Sequence, residues 1–305
     1  MKIVLTGAGG QLGQQWQQWA ASQSEVTLWA YSSAQLDITK PDTFDEVLGR
    51  HDVPDVWVNC AAYTQVDDAE TETARAMLVN GDAPGWIAQW CVEHACRLVH
   101  YSTDYVFSGS TEDQASYPEG YPEEAPTNPV NAYGQSKLAG EQAIQSTGIL
   151  ASSKSLLLRV AWLCSPHGRN FVTTMARLAT QRPKVRVVDD QTGAPAFCDD
   201  VVTQTLALLL AQASGIIHLG SAGQGTWADV ANAVFGQART RGLAHPALTL
   251  HQIPTSDYPT PATRPHFSKL STEKFTVFTG LYPPDWRDSL SRCLADPTLW
   301  STIKS

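Results

Sequence analysis

Short apolar runs alternate with segments of helical periodicity through the first two thirds of this 305-residue chain. Residues 2–6, 26–29, 56–61, 98–101 and 156–161 read as buried strands, and 11–21, 43–50, 73–93 and 131–145 between them as helices. Strands this uniformly apolar are covered on both faces. A helix after each one returns the chain to start the next strand in the same direction, which makes the sheet parallel. Right-handed crossovers then gather every strand C-terminus, and the ligand with them, at one edge. The predicted fold class is α/β, a Rossmann-type doubly wound parallel sheet with a smaller C-terminal substrate-binding domain. The expected division is 1–163 for the cofactor domain, with part of 196–222 returning to it, and 164–305 mainly for substrate.

The pattern loosens after residue 163. Helices are expected at 170–181, 199–213 and 226–236, the last behind a Thr226 cap, with short strands at 185–188 and 216–219. Four prolines (Pro254, Pro259, Pro261, Pro265) make 253–265 mostly loop. Between Arg97 and Lys137 there is no other Lys or Arg, while Asp104, Glu112, Asp113, Glu119, Glu123 and Glu124 all fall there. With Pro118, Pro122, Pro126 and Pro129, the stretch 108–130 exceeds an ordinary connection. It is expected to be a solvated acidic loop, either mobile or serving as a lid.

A net charge of -9 argues against nucleic acid as the main partner, because phosphate backbones need concentrated Lys and Arg. No apolar stretch approaches a membrane span or a signal-peptide core, so a cytoplasmic location is expected. The six cysteines are scattered without Cys-x-x-Cys spacing and the eight histidines form no zinc pattern. Reduced thiols and no metal are expected.

The chemistry begins at the first strand-to-helix junction. In GAGGQLG at 7–13, Gly7 permits a tight turn, Gly10 lets backbone approach a pyrophosphate, and Gly13 allows close helix packing. The phosphates would sit on free N–H groups at the positive helix end. The stretch after the second strand, Trp29-Ala30-Tyr31-Ser32-Ser33, holds no carboxylate to repel a 2′-phosphate. NADPH is therefore tolerated electrostatically; with no Arg there to hold the 2′-phosphate, NADH is also permitted. Tyr133 and Lys137, four apart behind the cap Asn131, share one helical face. An ammonium beside a phenol favours its ionised form, and a tuned phenol can give a proton to a carbonyl oxygen as hydride reaches carbon. Lys137 could also donate to ribose hydroxyls. Thr103, at the end of the fourth strand, could orient Tyr133 and bond the substrate oxygen.

Several further motifs accompany these: QLDIT at 35–39, NCAAYTQVDDAE at 59–70, VNGDAPG at 79–85, YSTDYVF at 101–107, NPVNAYGQSKLAGE at 128–141, RVAWL at 159–163 and VVDDQTGAP at 187–195. Through them the chain resembles, nearly end to end, the dTDP-4-dehydrorhamnose reductases of the extended short-chain dehydrogenase/reductase family. The resemblance implies NADPH-dependent reduction of the 4-keto group of dTDP-4-dehydro-L-rhamnose to dTDP-L-rhamnose, for polysaccharide biosynthesis. It implies Tyr133 as proton donor, Lys137 as its partner and Thr103 as the third catalytic residue. It places Gly10, Gln11 and Leu12 at the pyrophosphate. Asp37, Ile38, Ala61, Ala62, Tyr63 and Tyr101 would surround the rest of the cofactor, and Thr103, Asp104 and Trp162 the sugar nucleotide. Some relatives bridge a dimer through magnesium held by a first-helix glutamate; here the position is Gln15, a poor hard-cation ligand. A homodimer remains compatible with the sequence. The competing readings are another nucleotide-sugar epimerase or reductase on the same fold, or a non-catalytic NADP-binding regulatory subunit. Related 4,6-dehydratases carry a glutamate where Tyr105 stands, and a binding module has no reason to keep Thr103, Tyr133 and Lys137 together.

Overall fold

The computed structural model describes residues 1–152 and 154–304, with side chains up to Ser301. Its strands in chain order are β1 (Lys2–Thr6), β2 (Thr27–Tyr31), β3 (Val56–Asn59), β4 (Arg97–Thr103), β5 (Leu156–Val160), β6 (Lys184–Val188), β7 (Thr192–Gly193), β8 (Gly215–His218), β9 (Gly225–Thr226) and β10 (Thr249–Ile253). Six of them form one parallel sheet in the order β2-β1-β3-β4-β5-β8. The order reverses between β1 and β3. That switch point opens a crevice at the strand C-termini.

Alternation along the strands explains the two buried faces. Ile3, Leu5, Val58, Val99 and Leu158 point to one side, where they pack with Leu12 and Trp16 of helix Gln11–Ala21 and Val201 and Leu208 of helix Cys198–Leu210. Val4, Trp57, Leu98 and Leu157 point to the other, against Ile87 and Cys91 of helix Ala83–Glu93 and Ile144 of helix Ala132–Ser146. After helix Cys198–Leu210 the chain returns to the sheet as β8, beside β5.

A second core gathers Val172, Met175, Val185, Val187, Val234, Phe235, Trp286 and Leu290. Around it lie helices Phe171–Gln181, Trp227–Thr240 and Trp286–Ala295 and the parallel pair β6–β10. Strand β10 falls in a sequence with only Leu250 and Ile253 apolar, and most of it is exposed, so no alternation marks it.

Two expectations change. The helix expected at 73–93 is Thr73–Met77 and Ala83–Glu93 joined by a π turn over Leu78–Asp82. Helix Ala132–Ser146 presses on that turn: a Cβ on Gly140 would stand 2.0 Å from the Asn80 carbonyl oxygen. The acidic stretch 108–130 is a packed strap and not a solvated loop. Tyr121 is buried and stacked on Phe107 at 4.2 Å, and the strap bridges to Leu270. Glu123 is buried and accepts the His218 N–H at 2.8 Å, while Glu119 and Glu124 pair with Lys269 and Lys274. The missing positive charges come from residues 150 positions further on, which a local reading cannot see.

Candidate active site

The site is built where β1, β3 and β4 end. Gly7 (φ +76°) turns the chain sharply after β1, and a Cβ there would lie 2.5 Å from the backbone of Cys60 and Ala61. Gly13 touches the same turn from behind: its Cβ would stand 2.2 Å from the Gly7 carbonyl oxygen. Gly10 caps helix Gln11–Ala21 with no side chain on the helix N–H groups. Gly9 has open space around it. The result is an uncovered helix N-terminus facing a cleft of about 830 Å³.

Gly7, Gly10, Gln11, Leu12, Asp37, Ile38, Ala61, Ala62, Tyr63, Tyr101, Thr103, Asp104, Tyr133, Lys137 and Trp162 all line this cleft. Gly13 does not; it lets the helix approach the turn. Tyr101 contributes its backbone, because its phenol points into the core and bonds Trp16 Nε1 at 3.1 Å and Thr205 Oγ1 at 2.9 Å. Tyr63 is fixed by Asn80 of the π turn, whose carboxamide oxygen accepts the Tyr63 N–H at 2.8 Å and whose amide donates to the Tyr63 carbonyl at 2.9 Å.

Thr103, Tyr133 and Lys137 meet on the cleft floor. The Thr103 hydroxyl donates to Asp104 Oδ1 at 3.0 Å and accepts the Tyr105 N–H at 3.2 Å. Asp104 Oδ2 is buried without a partner, and burial raises its carboxyl to about 6 against the pull of the nearby Ser268 and Thr103 hydroxyls. Burial also lifts the Tyr133 phenol well above its ordinary value; the Asp104 charge adds to this and the Thr103 hydroxyl opposes it. The protonated phenol is the form a proton donor needs. Lys137 Nζ is not turned to that phenol. It donates to the Tyr101 carbonyl at 2.7 Å and lies 3.3 Å from His100 Nε2. Burial brings its amine down to about 8, with Glu141 opposing.

Beneath this floor Glu141 is wholly buried. It takes two bonds from Arg159, at 3.0 and 2.7 Å, and one from the Ser102 hydroxyl at 2.6 Å. Helix Ala132–Ser146 is thereby held to β4 and β5. That holds Tyr133 and Lys137 in place.

A family model described as RmlD substrate binding domain matches residues 1–298. The chain belongs to that family. It is 39% identical over 307 residues to dTDP-4-dehydrorhamnose reductase of Burkholderia thailandensis, covering 97% of this chain and 99% of that protein. It is 37% identical over 301 residues to the enzyme of the same name from Escherichia coli K12, with 96% and 97% covered. The crystal structure of dTDP-4-dehydrorhamnose reductase from Bacillus anthracis in complex with NADP is similar with a TM-score of 0.85 at 31% identity, covering 96% of this chain and 98% of that one.

The family fold also brings into the cleft residues that the motifs did not single out. Trp227 stacks on Trp162 at 3.7 Å with planes 15° apart, and Phe171 lies 4.4 Å from Trp227. Trp162 itself is held at φ +51°, a sparsely populated conformation for a bulky residue, with Gly193 against its ring. Arg169 and Asn170 line the wall beside Gln11, and the Asn170 amide bonds Gln11 Oε1 at 2.8 Å. Asn170 was legible only as the start of a helix, which it caps, and nothing in the sequence connects Trp227 to Trp162. Among the described residues no three His, Cys, Asp or Glu side chains are grouped to hold a metal ion.

Proposed function

We propose that this chain is an NADPH-dependent reductase that converts the 4-keto group of dTDP-4-dehydro-L-rhamnose to the alcohol of dTDP-L-rhamnose. The observation that carries the reading is the convergence of Thr103, Tyr133 and Lys137 on the floor of one cleft with the uncapped glycine turn. The cleft fits a dinucleotide on its own terms. It offers free helix N–H groups, space at Gly9 that a side chain would fill, and no carboxylate at Ser32 and Ser33. Bound NADPH supplies the hydride.

The chain's own residues do the rest. Gly10, Gln11 and Leu12 receive the pyrophosphate on backbone N–H groups. Asp37 and Ile38 lie along the adenosine side of the cleft; Ala61, Ala62 and the Tyr101 backbone lie toward the nicotinamide side. Lys137, anchored on the Tyr101 carbonyl, donates to ribose hydroxyls. Tyr133 keeps its proton in the dry site and releases it to the substrate oxygen as negative charge develops there. Thr103 holds that oxygen and the phenol in line. Asp104 and the Trp162–Trp227 stack meet the sugar nucleotide.

The division of labour is part of the proposal: 1–163 with the returning β8 binds cofactor, and most of the remainder shapes the substrate side. Among the described residues no helix is long and apolar enough to cross a membrane. All six cysteines are unpaired and five are buried, which supports a reducing, cytoplasmic setting. A homodimer is proposed, for light scattering to check. The deciding experiment follows NADPH absorbance with dTDP-4-dehydro-L-rhamnose as substrate. Oxidation by the wild-type chain that Tyr133→Phe slows by about 10²-fold or more is the expected result; no oxidation, or an unimpaired variant, overturns the assignment.

A further inference from the structure

Lys137 ends a chain of buried hydrogen bonds whose direction is set by donors that cannot be reversed. The Ala61 backbone N–H donates to Asn59 Oδ1 at 3.1 Å, so that atom is the amide oxygen. The Thr6 hydroxyl receives the Trp57 indole N–H at 3.1 Å and gives its own proton to the same oxygen at 2.9 Å. Asn59 therefore turns its NH₂ toward His100 Nδ1, 3.0 Å away, and Nδ1 must accept. A neutral imidazole carries a single N–H. It is then on Nε2, which faces Lys137 Nζ at 3.3 Å. An ammonium and an N–H cannot satisfy each other, whereas an amine lone pair accepts.

We infer that His100 is a positioning residue for this reductase: Asn59 locks its ring with Nε2–H aimed at Lys137, so the protein itself favours the unprotonated amine there. The inference rests on the proposed reductase reading for its consequence and on the geometry alone for its chemistry. His100 is fully enclosed, and burial by itself is the main cause that keeps it well below its ordinary value, so it stays neutral. Glu141, on its own helix, is the charged group that acts on Lys137; Tyr133 of the same helix, Cys60 after β3 and Asp104 after β4 are titratable groups lining the same cleft. Arg159 on β5 neutralises Glu141. Glu141 thus pulls the amine toward protonation and His100 pulls it away. Lys137 is held where modest changes of pH, or of its neighbours, move a proton on or off.

Two measurements test this. Nitrogen NMR of the cofactor-free protein labelled at its histidine rings, with His100 assigned by its loss in His100→Gln, should report a proton on Nε2 and none on Nδ1. A proton on Nδ1 overturns the inference, and this reading needs no activity and no disruptive variant. The second is the pH profile of kcat, whose alkaline limb follows loss of the Lys137 proton, the charge that favours proton release from Tyr133. Its alkaline limb should rise by on the order of one pH unit in His100→Phe, which removes the opposed N–H. His100→Gln, which keeps one acceptor and one donor at similar reach, should hold the wild-type limb, whereas a merely structural role would lower activity or stability in both variants without moving it. An unmoved limb in a folded His100→Phe enzyme overturns the inference. If the wild-type chain oxidises no NADPH with the nucleotide sugar, the reductase reading fails by itself and the tautomer alone decides the role of His100.

Discussion

Asp104→Asn should make the cofactor-free protein more stable at neutral pH and less active. Folding raises this carboxyl from 3.8 to about 6, because it is 4% exposed and its Oδ2 lacks a partner. The folded state therefore binds the proton more readily than the unfolded chain. Stability from this group falls as pH rises from the unfolded value to the folded one and stays low above it. A shift of roughly two units corresponds to about 3 kcal/mol at pH 7.5. Asparagine removes that penalty and keeps an oxygen to accept the Thr103 hydroxyl, but it leaves a buried NH₂ in place of Oδ2, which costs about 1–2 kcal/mol. The net gain expected is about 1–2 kcal/mol at pH 7.5, measured by urea unfolding of both proteins. At pH 4 the wild-type carboxyl is largely protonated when folded, and the gain should vanish or reverse. Other titrating groups cancel in the difference. An identical difference at the two pH values would refute the reasoning, whatever its size. Lost turnover beside gained stability is the trade expected where a strained charge serves a site.

Three further perturbations follow from the same geometry. Tyr133→Phe should lower kcat about 10²–10⁴-fold while NADPH binding, read by fluorescence, persists. Glu141→Ala should destabilise the fold by about 3–5 kcal/mol, since Arg159 would be left buried and charged without its counter-ion; thermal unfolding measures it. Trp227→Ala should raise KM for the nucleotide sugar roughly 2- to 10-fold, the worth of one lost aromatic stack, with KM for NADPH unchanged.

Most residues that line the cleft were legible one by one because their signals are local. Glycines at 7–13 must sit between a strand and a helix, and Tyr133 and Lys137 are neighbours by helical geometry alone. Strand runs buried on both faces gave the parallel sheet, with boundaries off by at most two residues. What sequence pattern could not supply was pairing across distance. Trp162 meets Trp227, Glu141 meets Arg159, and Glu119 and Glu124 meet Lys269 and Lys274 only after the chain has folded back. The π turn at Leu78–Asp82 was equally hidden, because it arises from the press of Gly140 on Asn80 and not from any propensity in its own residues.

Composition, periodicity and motif spacing thus determined the fold class and the chemical groups on offer. Tertiary structure decided their states: which nitrogen of His100 carries a proton, that the Tyr133 phenol stays protonated, and that Lys137 faces a carbonyl and a ring and not the phenol. The reason is physical. Local propensities act over a few residues, whereas protonation responds to burial and to partners that any part of the chain can bring.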